Sequence, residues 1–136
     1  MGVTDIIANK LMNVAGASIP ILATIILWIS SIGSSVLDNV VLVAALIPVI
    51  QKFSLLGISS NPLWWALLFG GCFGGNITMI GSTANIIALG ILEKKCSSGD
   101  RCIKISFFQW LWIGLLTGIV STLVAQIFLF IFYRSM

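Results

Sequence analysis

Asp38 stands alone among apolar residues, with no other charge between Leu11 and Gln51. Ser34 and Ser35 precede it and Asn39 follows it. A second polar group holds Asn76, Thr78, Ser82, Thr83 and Asn85, in a block that also contains Gly70, Gly71, Gly74, Gly75 and Gly81. Carboxylate, amide, hydroxyl and carbonyl oxygens suit a hard cation such as sodium, and a carboxylate also takes a proton. Half-helices beginning at Val40 and Ala84 would instead offer their N-termini to an anion or a neutral polar oxide. The candidate ion- or substrate-binding residues are therefore Ser35, Asp38, Asn39, Asn76, Thr78, Gly81, Ser82, Thr83 and Asn85. The pattern supports no metal beyond a transported cation at these residues, and no cofactor.

Other chemistries are excluded. There is no histidine, so a histidine-based nucleophile relay, zinc site or haem ligand set is absent. No glycine-rich turn ends in Gly-Lys-Ser/Thr. One buried acid without a base, metal set or nucleophile pair makes no catalytic constellation, so the chain is not read as an enzyme. The three cysteines are too few and too scattered for a disulfide framework.

The elements that must position these residues belong to a membrane. Of 136 residues, 59% are apolar and 8% charged, which cannot cover a soluble globule with a polar surface. A cytosolic enzyme domain, a disordered tail and a nucleic-acid binder are excluded. The net charge of +3 is not gathered into a patch. The expectation is a single all-α membrane domain whose first partner is the lipid bilayer.

Four pieces are expected. Residues 1–16 open with an acid and not a basic signal-peptide region, and read as an amphipathic helix lying in the membrane interface. Residues 18–51 read as a re-entrant helical hairpin with its tip at Gly33 to Asn39. Asn39 to Gln51 makes only about 20 Å of helix, against a hydrocarbon core of about 30 Å. Residues 62–94 read as a broken helix, opened by Pro62 in a first-turn position and unwound around Asn76 to Thr83. Residues 106–133 read as a transmembrane helix, with Gly114 and Gly118 spaced for close helix approach. Lys94, Lys95, Arg101 and Lys104 place the loop 93–105 in the cytoplasm by the positive-inside rule, where Cys96 and Cys102 stay reduced thiols.

Two positions carry a second reading. Asp38 is also a good N-cap for a helix starting at Val40, and a capping carboxylate can still face a cavity. Gly70 with Gly74, and Gly71 with Gly75, are also small-xxx-small pairs for helix packing. That packing role does not account for the polar residues from Asn76 to Asn85, whose desolvation is costly.

The stretches Ser35-Val36-Leu37-Asp38-Asn39-Val40-Val41 and Gly74-Gly75-Asn76-Ile77-Thr78-Met79-Ile80-Gly81-Ser82-Thr83-Ala84-Asn85 resemble the ion transporter superfamily. Within it they are similar to the arsenite-permease and NhaD-type sodium–proton antiporter group, a citrate-transporter-like domain. Ile105-Ser106-Phe107-Phe108 before the last helix is also similar to that group. The resemblance implies an elevator-type transporter in which two inverted repeats each supply a hairpin tip and a broken helix to one site. This chain resembles the second, C-terminal repeat only.

Asp38 and Asn39 match the position where the dicarboxylate branch has a Ser-Asn-Thr tip. That difference argues against a dicarboxylate carrier and toward the arsenite or cation–proton branch. Gly81, Ser82, Thr83 and Asn85 match the unwound-helix motif. With the first repeat missing, the expectation is a fragment or half of a transporter in the cell inner or plasma membrane. Its partner would be an N-terminal repeat or a second copy in a homo-oligomer. The alternative is a small membrane subunit that packs against a partner and transports nothing.

Overall fold

In the computed structural model of the protein, residues 2–16, 18–96 and 105–135 are described. They form six helices: α1 (Val3–Ala15), α2 (Ile19–Val36), α3 (Asn39–Leu55), α4 (Asn61–Gly74), α5 (Thr83–Cys96) and α6 (Phe107–Ser135). The all-helical expectation agrees with this architecture. Residues 97–104, which include the expected basic positions Arg101 and Lys104 and the thiol of Cys102, lie outside the described residues. Two described helices are long and apolar enough to span a bilayer, Ile19–Val36 in α2 and Phe107–Tyr133 in α6.

The helix boundaries follow local chemistry. Gly16, at φ +55°, closes α1 in the left-handed conformation that glycine adopts without strain. Pro20 sits in the first turn of α2 and Pro62 in that of α4, where the missing N–H leaves nothing unpaired. The side chain of Asp38 caps α3 by accepting from the Val40 N–H at 2.9 Å. The far end of α3 differs from the sequence reading. The helix continues past Gln51 to Leu55, because Lys52 falls in its last turn, where a cation favours the carbonyl end. At 17 residues α3 is about 26 Å long, so length alone does not prevent it from crossing.

Packing defines the hairpin instead. One buried cluster joins Leu22 and Ile26 of early α2 to Val49, Ile50 and Phe53 of late α3. Leu63 and Ala66 of early α4 and Ala125 and Leu129 of late α6 complete it. The outer ends of α2 and α3 therefore share one end of the molecule, and the chain turns back at Leu37 and Asp38. On α6, Gln126 accepts from the Trp28 indole N–H at 2.9 Å, and Thr122 bonds Ser31 at 3.1 Å. Further along, Gly118 meets the Ile77 side chain and Gly114 the carbonyls of Asn76 and Ile77. The α4–α5 interruption thus lies level with Gly114 to Gly118, while α6 runs on to Phe107, about 10 Å farther.

The most extensive helix contact is between α2 and α4. Ser30, Ser31, Ser34 and Ser35 are buried on α2, and Gly70, Gly71, Gly74 and Gly75 repeat their spacing; Gly70 and Gly74 of α4 face Ser30 and Ser31, Gly75 just past α4 faces Ser34, and Gly71 is turned to Asn39 and Val43 of α3. A side chain at Gly70 would overlap Ser30 and the Leu27 carbonyl, and one at Gly74 would overlap the backbone of Ser31. The packing reading of these glycines holds as far as Gly74, and the helix breaks after them. The serines satisfy themselves: Ser30 donates to Ile26 O at 2.6 Å, Ser35 to Ile32 O at 2.6 Å and Ser34 across the interface to Gly71 O at 2.7 Å.

Two outcomes are expected from this arrangement. Gly74→Val overpacks the interface and lowers stability by about 1–3 kcal/mol, read as a lower midpoint of thermal unfolding in detergent. In a cysteine-free protein, Ser18→Cys and Gln51→Cys both label from the same membrane face. Labelling from opposite faces would show that the hairpin crosses.

Candidate functional site

Two interruptions of helix, Leu37–Asp38 and residues 75–82, lie side by side because the α2–α4 seam brings the ends of both helices to one level. Hydrogen bonds tie them together. Thr83 donates from Oγ1 to Asp38 Oδ2 at 2.9 Å. Thr78 donates from Oγ1 to the Ser35 carbonyl and accepts the Gly81 N–H at 3.0 Å. The Asn85 amide donates to the carbonyls of Gly75 at 3.2 Å and Thr78 at 3.3 Å, bracing the unwound segment. Gly81 brings the unwound segment close to the end of α2. A Cβ there would stand 2.7 Å from Ser34 O and 2.8 Å from Gly75 O, so no larger residue fits.

The carboxylate of Asp38 has both oxygens engaged, Oδ1 by the Val40 N–H and Oδ2 by Thr83. It is thus a cap and a bridge at once. The N-termini of α3 and α5 meet at this bridge, so one fixed negative charge sits between two positive helix ends. Around it Val36, Leu37, Val40 and Val41 are exposed apolar side chains.

The sequence-derived candidates do not form a single cluster. Asp38 and Thr83 stand together at the tip. Thr78 and Gly81 lie between the two backbones as ties. Ser35 contributes its carbonyl, since its hydroxyl is bonded back to Ile32. Ser82 offers its carbonyl to the N–H groups of Asn85 at 3.0 Å and Ile86 at 3.4 Å, starting α5. Asn39 is turned toward α4, its buried Oδ1 unpaired and 2.5 Å from where a Cβ of Gly71 would be. Asn76 and Asn85 line a cavity of about 600 Å3 against α6, together with Gln109, Trp110 and Thr117. The sequence reading missed Gln109 and Trp110, whose only signal was a polar and an amphipathic residue at the start of an apolar span. It also missed the Ser34–Gly71 bond, which the shared Ser-Ser-x-x-Ser-Ser and Gly-Gly-x-x-Gly-Gly spacing could have revealed. Among the described residues no group of three or more acids, cysteines or histidines could hold a metal.

Two helices long and apolar enough to span a bilayer, beside paired helix interruptions, are consistent with a membrane protein. The chain belongs to the citrate transporter family, which matches over residues 1–136. This is a family of transporters and not of enzymes. The chain is 34% identical to the P protein of Homo sapiens over 110 residues, covering 79% of this chain and 12% of that protein. It is 33% identical to an uncharacterized transporter of Mycobacterium tuberculosis over 135 residues, covering 97% of this chain and 30% of the relative. An uncharacterized transporter of Synechocystis sp. is 31% identical over 144 residues, covering 93% and 31%. The chain therefore spans only 12% to 31% of the length of these relatives. No solved structure matches it.

The bridge makes a separable prediction. Thr83→Val should lower the stability of the otherwise native protein. It should cost measurably less in an Asp38→Ala background, because the bond is already gone. Unfolding of the four proteins in detergent reads the difference, and equal costs would show that the two residues are not coupled.

Proposed function

We propose that this chain supplies one half of the ion site of a secondary active transporter for an inorganic ion. The observation that carries this is the hydrogen bond from Thr83 to Asp38, which joins a hairpin tip to a broken helix at one carboxylate. Membrane carriers hold ions near the midplane with half-helix ends and unwound backbone of this kind. The finer reading is sodium–proton antiport or arsenite-type anion permeation, in an elevator arrangement of two inverted repeats. In it α2 and α3 form a re-entrant hairpin, α1 lies in the interface, and the loop 93–105 faces the cytoplasm at the inner or plasma membrane. The level of the break against α6 supports the re-entrant placement, since the hairpin tip stops short of that helix's N-terminal end.

An N-terminal repeat, or a second copy, completes the site. The helix α5 favours such a partner, because it packs closely against no other described helix and carries exposed Ile86, Ile87 and Ile91. The same feature supports a second reading, a subunit that docks on a carrier without transporting.

Proton and cation competing for one carboxylate is the simplest exchange. Asp38→Asn keeps an acceptor for the Val40 N–H and removes the charge. In vesicles holding the complete protein, this variant should insert normally and lose pH-gradient-driven transport, with its pH dependence flattened. Unaltered pH dependence would leave Asp38 as a cap only. No transport by the wild type of any tested ion, with normal insertion, would favour the subunit.

A further inference from the structure

We infer that Ile77 is a positioning residue: its side chain, seated on α6 at Gly118, fixes where the broken helix stands, and through Thr78 it sets the bridge between Asp38 and Thr83. One side of α6 carries the argument. Gly114, Gly118, Thr122 and Gln126 follow one another at four-residue steps, so they stack along one face of the helix. Gln126 and Thr122 take α2, through Trp28 and Ser31. Gly118 and Gly114 take the break, through the Ile77 side chain and the carbonyls of Asn76 and Ile77. The glycine pair whose spacing suits a second helix is thus filled by an unwound segment of the same chain.

The contact with the break is steric. A Cβ at Gly118 would overlap Ile77 Cγ1 and stand 3.0 Å from its Cδ1. A Cβ at Gly114 would overlap the Ile77 carbonyl oxygen and stand 2.8 Å from that of Asn76. The side-chain hydrogen bonds of the break run elsewhere, to the Ser35 carbonyl of α2 and among Gly75, Thr78, Gly81 and Asn85. Ile77 is half-buried, and its branched Cβ leaves χ1 stiff, so it makes a knob of fixed shape.

Residues 77 and 78 are engaged on opposite partners. Ile77 meets α6, and Thr78 ties to the end of α2. Together they clamp the break between the two helices. Thr78 also accepts the Gly81 N–H at 3.0 Å, and its carbonyl accepts from the Asn85 amide at 3.3 Å. Gly81 and Asn85 lie two positions to either side of Thr83, whose hydroxyl donates to Asp38 at 2.9 Å. A shift of Ile77 therefore reaches Thr83 from both sides. That this sets the geometry of an ion site rests on the transport reading, whereas its setting of the bridge does not.

The test reads the coupling between Asp38 and Thr83, as the cost of Thr83→Val with and without Asp38→Ala, in variants of the seat. Gly118→Ala drives Ile77 from its place, and the coupling should be lost. Ile77→Ala alone leaves the seat empty, and the coupling should weaken. Combining the two leaves the Cβ atoms of positions 77 and 118 at 3.7 Å, an ordinary contact at the native height, and the coupling should return. Such reciprocal rescue separates positioning from bulk stability. A residue that only stabilises would lower the unfolding midpoint in each single variant and leave the coupling as it was. Native coupling in both single variants, no return in the double variant, or no coupling in the native protein would each overturn the proposal. If Gly118→Ala fails to insert, Ile77→Ala carries the test: weakened coupling supports the proposal and native coupling overturns it. Because unfolding in detergent needs no transport, failure here is distinct from failure of the Asp38→Asn experiment.

Discussion

Close approach of two backbones, α2 on α4, is the constraint from which the rest of the molecule follows. Helices in a bilayer gain little from burying apolar side chains, since lipid is equally apolar. Contact must come from dispersion at short range and from hydrogen bonds. Serine on one surface and glycine on the other permit both. The matching four-residue spacing also fixes the register. Sliding one helix by a turn would set Ser34 and Ser35 beyond Gly75, with no partner surface. Fixed register is what puts the end of α2 beside the end of α4.

Once two helices end at one level, their unpaired backbone groups need partners. Few side chains do most of this. Thr78 serves a carbonyl of the hairpin and an amide of the break at once. Asn85 covers two carbonyls, and Asp38 covers the Val40 amide in the first turn of α3. The polar residues of the break are therefore mostly structural where they touch backbone. Asp38 and Thr83 are the pair that join side chain to side chain.

Much of this was legible in the sequence. The apolar runs, the isolation of Asp38 and the cluster of five glycines mark helices, a tip and a break, because an interior polar residue in a membrane needs a reason. The end of α3 was misplaced because charge was read as a boundary, whereas a lysine stem can extend a helix past the last apolar turn. The roles within the polar block were less legible. Asn39 and Asp38 are neighbours in sequence and face different ways. Asn76 and Asn85 look like site residues, yet border the cavity on α6. Spacing shows which residues are near one another along the chain. It does not show which side of an unwound segment each will take, because such a segment has no period.

The full engagement of the Asp38 carboxylate has a mechanical side. With no close helix packing of its own, α5 is tethered to the hairpin through Thr83 and, inside the break, through Asn85. A proton or cation that takes Oδ2 neutralises the charge that strengthens its bond from the Thr83 hydroxyl, even where it uses the oxygen's second lone pair. Loading the carboxylate then weakens the tether, and the same group that senses charge holds α5 to the hairpin.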